Sequence, residues 1–258
     1  MYSSLTALSR EQHAALRLRP VADFSFAAKE AVLPIVGAEI AKAVHAFPIA
    51  FLAQPDGTYS LVAVLGLDVA QSLYVSADGR WLGTYQPAAL RRYPFRLVRS
   101  EAMTEPVVCI DPMSSLLSQS DGQPLFAADG APSDTLNGII GFLSELDKNE
   151  LATNQACQAL AEHALIVPWD IKVQQDDGSV RQVNGLFRVD EARLNALDDA
   201  AFLALRRAAA LPLAYAQLLS INKLFDLGKM AAARPQAGVP LDVDEILGAL
   251  QWETFRFL

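Results

Sequence analysis

The stretch Leu73-Tyr74-Val75-Ser76-Ala77-Asp78-Gly79-Arg80-Trp81-Leu82-Gly83-Thr84-Tyr85-Gln86-Pro87-Ala88-Ala89-Leu90-Arg91-Arg92-Tyr93-Pro94-Phe95 decides how the chain is read. Asp78-Gly79 between apolar residues signals a hairpin, with Leu73–Val75 as one arm and Trp81–Tyr85 as the other. Pro87 opens a short helical turn over Ala88–Arg92, which Pro94 stops. Turn, strand and helix alternate within a few residues, and this density points to short strands joined by tight loops.

Upstream, Ile49–Leu52 and Ser60–Leu67 read as strands around Gln54-Pro55-Asp56-Gly57, where Pro and Gly suit a type I turn. Ser60–Leu67 is almost wholly aliphatic, as expected of a strand buried on both faces. Further upstream, residues 1–30 read as an extended lead-in in which Phe24 and Phe26 alternate. Pro34 suits the first turn of a helix that Pro48 ends. Downstream, Phe95–Val98 and Val107–Ile110 complete a β-rich run. Residues 49–111 are expected to form a meander or a small, partly closed barrel.

The second half is helical in pattern. Ser133 or Asp134 caps a helix through about Asn149, and a second helix over about Glu150–His163 is either separate or continuous with it. Ile171–Val173 and Val180–Val189 form a hairpin around Asp176-Asp177-Gly178-Ser179. Asp190 and Asp198 cap two further helices. Leu211–Lys229 is expected as one central helix, apolar nearly all round. The fold class is α+β, with a β-rich part over about 20–130 and a helical part over about 131–230, together one domain. Ala231–Pro240 reads as a linker. The tail, residues 241–258, runs from acidic to aromatic, and Trp252, Phe255 and Phe257 either fold back on the body or dock on a partner.

Composition limits the function. The 258 residues carry a net charge of −8, from 21 basic and 29 acidic residues. So acidic a chain is poorly suited to neutralising phosphates, which argues against nucleic-acid binding. No apolar run approaches the roughly 20 residues of a membrane span, and no secretory leader is evident, so a cytoplasmic protein is expected. Cys109 and Cys157 read as small buried hydrophobes, and His13, His45 and His163 are isolated, so no metal site is expected. There is no phosphate-binding glycine loop, no dinucleotide fingerprint and no nucleophile elbow, and neither a cofactor nor catalytic residues are assigned.

One cluster has chemistry. Arg80, Arg91, Arg92, Arg96 and Arg99 lie within Gly79–Ser100, a segment without an acidic residue. Guanidinium groups bind carboxylate or phosphate in a fork, and Tyr74, Trp81, Tyr85 and Tyr93 offer flat, partly polar faces. Arg80, Trp81, Tyr85, Arg91, Arg92 and Tyr93 are therefore the candidate binding residues for a small anionic or aromatic ligand. The competing reading has the arginines pairing with surplus acids and the aromatics filling the core. Arg91 and Arg92, adjacent on one helical turn, are expected to point apart.

Taken together, several segments resemble the SapC family of bacterial proteins, named after a gene associated with a surface-layer system. They are Phe47-Pro48-Ile49 with Phe51, Leu65-Gly66-Leu67, Leu73-Tyr74-Val75, Gly79-Arg80-Trp81, Tyr85-Gln86-Pro87-Ala88 and Arg91–Phe95. In the second half they are Gly185–Glu191, Leu194–Leu197, Phe202, Leu205 and Leu213–Ser220. The resemblance covers about residues 5–230, with Gln86 standing where relatives usually carry Ile. It implies no catalytic residue or cofactor. It implies instead a neighbourhood of TonB-dependent receptors, tryptophan-halogenase-like flavoproteins and cupin-like proteins. The expected function is a non-enzymatic binding or adaptor protein acting with partner proteins. The alternative is a small-molecule-binding protein or enzyme built on the arginine–aromatic cluster.

Overall fold

A computed structural model describes residues 1–99, 106–174 and 180–234. Its centre is a five-stranded antiparallel sheet. The strands are Val32–Pro34 (β1), Ile49–Ala53 (β2), Tyr59–Val64 (β3), Ile166–Pro168 (β4) and Leu186–Val189 (β5), in the order β4-β5-β2-β3-β1. β2 and β3 form a hairpin in register Ile49↔Ala63 through Ala53↔Tyr59. The Asp56 carboxylate accepts from the Thr58 amide at 2.9 Å, and Gly57 adopts φ +82°, so the residues at this turn supply the geometry it needs. Ile49–Leu52 and Leu61–Val64 are buried on both faces, as their unbroken aliphatic runs require.

The strands of residues 49–111 form open sheets rather than a closed barrel. Phe95–Val98 and Val107–Ile110 join Thr6–Ala7 in a separate three-stranded sheet. Arg17–Leu18 pairs with Leu117–Ser118 and Gln123–Pro124 in another. Two lead-in expectations are corrected. Ser25–Ala27 is a 3-10 turn, not a strand, and Pro34 ends β1 instead of opening a helix. The helix follows later, over Ile40–Ala46 (α1), after a 3-10 turn at Gly37–Glu39.

Asp134–Glu162 (α2) is one continuous helix. Ser133 caps it by accepting from the Leu136 amide. Its Leu143 packs with Phe95, Ile110 and Leu125 in a second apolar cluster beneath the small sheet. Val180–Val189 is corrected from one strand to two. Val180–Val183 pairs with Ile171–Gln174, Gly185 turns the chain at φ +83°, and Leu186–Val189 joins the central sheet as β5. The turn Asp176–Ser179 lies outside the described residues.

Asp198 caps Asp199–Arg207 (α3). The long apolar helix is also corrected. It divides at Ile221-Asn222 into Ala210–Ser220 (α4) and Lys223–Ala232 (α5). Pro212 is tolerated because it falls in the first turn of α4, where the chain's N–H groups have no helical acceptor. α4 presents Leu213, Ala214, Ala216 and Gln217 to the core and rests on β2 and β5. α5 runs into the segment read as a linker, and residues 235–258 lie outside the described residues.

Candidate functional site

The Asp78-Gly79 turn closes around Ser76, whose hydroxyl donates to Asp78 at 2.6 Å and accepts from the Arg80 amide at 2.9 Å. Gly79 has φ +79°, and a Cβ there would meet the Asp23 carboxylate at 2.2 Å, so only glycine fits this docked turn. The arms make a single bridge, Val75↔Trp81, in place of the longer hairpin expected. The Arg80 side chain lies in solvent beside Asp78, with Nε to Oδ2 at 2.7 Å.

Beyond the turn the candidate residues separate into three environments. Trp81 packs among Tyr74, Phe24 and Phe47, with ring centroids 5.7, 5.8 and 6.2 Å away, and its indole N–H donates to the Tyr85 carbonyl at 2.9 Å. Tyr74 in turn donates to the Ala46 carbonyl at 2.9 Å.

The second environment is organised by Glu39, whose side chain is only 4% exposed. Glu39 Oε1 accepts from the Tyr85 hydroxyl at 2.8 Å and the Ala88 amide at 2.6 Å, while Oε2 accepts from the Val36 amide at 3.1 Å. Arg91 lies 3.8 Å from Oε1 and donates to the Tyr85 oxygen at 3.3 Å and the Gln86 carbonyl at 3.2 Å. Its guanidinium also covers the Phe142 ring. Burial first, then the Glu39 carboxylate, push the Tyr85 phenol up to about 12.

The third environment holds Arg92 and Tyr93, both buried. Arg92 Nη1 donates to Glu150 at 2.7 Å, and its buried Nε has no hydrogen-bond partner. Tyr93 stacks on Phe26 at 4.3 Å, meets the Tyr2 ring edge-on at 5.3 Å, and points its hydroxyl at Asp111, 3.5 Å away. Arg96 is half-buried. Desolvation, then the neighbouring Arg92 charge, lower its affinity for a proton. Arg91 and Arg92 thus point to different acids, as their spacing on one turn implies. Arg99 pairs with Asp147.

Glu39, Asp111 and Tyr2 escaped sequence reading. Glu39 has a local signal, since it stands three residues after Val36, where a carboxylate can reach back to a helix-initiating amide. Asp111 and Tyr2 have none, because their partners are remote in the chain.

Both cysteine thiols are buried, and burial pushes Cys157 up to about 12, which removes thiolate character. Among the described residues, no three His, Cys, Asp or Glu side chains gather where they could hold a metal ion. Nor is any described helix long and apolar enough to cross a membrane.

These features define an α+β protein with open antiparallel sheets, in which the arginines and aromatics of residues 80–93 divide among three environments. The SapC family model matches residues 8–227, and the chain belongs to the SapC family. No curated protein and no solved structure is matched.

Proposed function

We propose that this protein is a non-enzymatic binding or adaptor protein of the SapC type, acting in the cytoplasm with a partner protein. Residues 1–230 serve as one domain in this reading. The observation that supports it is a set of exposed apolar side chains on the last three described helices. Phe202 and Leu203 on α3, Tyr215 and Leu219 on α4, and Phe225 on α5 are all exposed, Leu219 and Phe225 to 70% and 69%. A partner surface would cover Leu219 and Phe225, the two most exposed of these side chains. Lys229 lies over the Phe225 ring at 4.3 Å, a cation beside the exposed aromatic. Trp252, Phe255 and Phe257, outside the described residues, remain further proposed contacts.

The test uses the neighbourhood that the family suggests. The purified protein is titrated by calorimetry with a tryptophan-halogenase-like flavoprotein of the kind the family resemblance implies. Saturable binding is expected. The double variant Leu219→Glu/Phe225→Glu should keep its circular dichroism spectrum and bind about tenfold or more weakly, at least 1.4 kcal/mol. Absence of binding, or equal binding by the variant, overturns the reading.

A second reading, a site for a small anionic or aromatic ligand drawn from Arg80, Trp81, Tyr85, Arg91, Arg92 and Tyr93, is favoured by one observation. The buried Nε of Arg92 lacks an acceptor, beside an aromatic stack.

A further inference from the structure

We propose that Arg92 binds a small monovalent carboxylate through its buried Nε–H, on the side of the guanidinium that Glu150 leaves open. This rests on the small-ligand reading, and it narrows that reading to one arginine and one ligand class.

Arg92 is 7% exposed, yet its fork is not fully engaged. Nη1 donates to Glu150 Oε1 at 2.7 Å. Nη1 lies on the Cδ side of the planar guanidinium and the Nε–H on the other, so one carboxylate cannot serve both. Nε is buried and finds no acceptor among the described residues. A desolvated guanidinium N–H left in this state costs stability, and a charged acceptor recovers more of it than a neutral one. Arg96 follows a tight turn in which the Phe95 amide donates to the Arg92 carbonyl at 2.7 Å. Its affinity for a proton is lowered first by desolvation and then by the Arg92 charge, and Glu150 offsets this only in part. The surroundings thus disfavour positive charge on balance. An anion corrects that balance, and a water molecule does not. Glu150 also limits what is bound. A dianion such as sulfate brings its second charge against the Glu150 carboxylate, whereas a monocarboxylate offers a planar oxygen to the open N–H with a single charge. The Glu150 side chain is 37% exposed, so the ion pair to which Arg92 belongs reaches the protein surface.

The experiment follows the arginine Nε–H groups of the isotope-labelled full chain by nuclear magnetic resonance, in separate titrations with sodium acetate, chloride and sulfate to the same ionic strength. The Arg92 signal, assigned by its absence from Arg92→Lys, is expected to move saturably with acetate at a Kd of about 1–10 mM, within the limit for so small a ligand. Chloride and sulfate should bind at least tenfold more weakly. The melting temperature should rise by roughly 3–5 °C for each tenfold excess of acetate over Kd. Arg92→Lys keeps a charge for Glu150 but lacks the Nε–H, and should lose that rise. If Arg92→Lys does not fold, through-bond assignment replaces it and the wild-type titration alone decides. A shift that grows without saturating reports bulk salt and overturns the site. An equal response to chloride overturns the carboxylate class. A saturable response at Arg80 or Arg91 with none at Arg92 overturns this proposal and leaves the small-ligand reading standing. No response of any arginine or tyrosine to acetate, sulfate or indole overturns both.

Discussion

At the scale of single residues, Glu39 determines the shape of the arginine–aromatic segment. Its two oxygens satisfy the Val36 and Ala88 amides and the Tyr85 hydroxyl, which joins the start of α1 to the Pro87 turn. Glu39→Ala orphans these donors and exposes a cavity, so a loss of about 3 kcal/mol or more in urea unfolding is expected, at about 1–3 kcal/mol per buried donor left unpaired. Two desolvated phenols, Tyr74 and Tyr85, set a pH dependence. The Tyr74 and Tyr85 phenols are raised from 10.0 to about 12, each chiefly by burial. The folded state therefore holds these protons more tightly than the unfolded chain. The associated stability is complete below pH 10 and is lost as pH rises from 10 through about 12. Urea midpoints across that window should fall, and Tyr85→Phe should make the fall shallower.

At the scale of elements, one side chain of α4 completes the central sheet. The register Leu186↔Leu52 and Phe187↔Phe51, continued toward the end of the strands, sets Val189 opposite Ile49, but the backbones do not pair there. Gln217 fills the gap. Its Oε1 accepts from the Val189 amide at 2.9 Å and its Nε2 donates to the Ile49 carbonyl at 3.3 Å. Ser220 adds a bond from the Ile49 amide at 2.9 Å. Gln217 is wholly buried, so Gln217→Leu strips partners from both strands. The expected cost is about 2–4 kcal/mol, from about 1–3 kcal/mol for each orphaned backbone group. Hydrogen exchange at the Val189 amide should accelerate more than at the Phe51–Leu61 pair.

At the scale of the molecule, the last described helix is fastened to the first arm of the Asp78-Gly79 turn. Arg234, beyond the end of α5, donates to the carbonyls of Ser72, Leu73 and Val75 at 2.8, 3.0 and 2.7 Å. These two segments lie 159 to 162 residues apart in sequence. Arg234→Ala should lower stability by about 1.5–3 kcal/mol, the range for bonds to a charged donor. Arg234→Lys should recover little, because an ammonium cannot copy the planar fork. Leu219 and Phe225 take no part in these bonds. Glutamates at Leu219 and Phe225 should therefore affect partner binding without this loss of stability, a difference that thermal melts alongside calorimetry will read.

Local chemistry settled much of this protein. Turns at Asp56-Gly57 and Asp78-Gly79, caps at Ser133, Asp190 and Asp198, and the aliphatic strand at 49–52 depend on neighbours in sequence and stand where their residues place them, while the strand read over Ser60–Leu67 stops at Val64. So do the α+β class and membership of the SapC family. Tertiary structure decided the rest. Gly185 divides an apparently continuous strand because β5 must leave one hairpin to join another sheet, and periodicity cannot announce a change of partner. The apolar run from Leu211 shows its hydrophobicity but not the break at Ile221-Asn222, nor that Leu219 and Phe225 face water. The arginines and aromatics of residues 80–93 were visible as a cluster. Their division among Asp78, Glu39 and Glu150 was not, because a charge finds its partner through space, and Tyr2, Glu39 and Glu150 arrive from segments far along the chain.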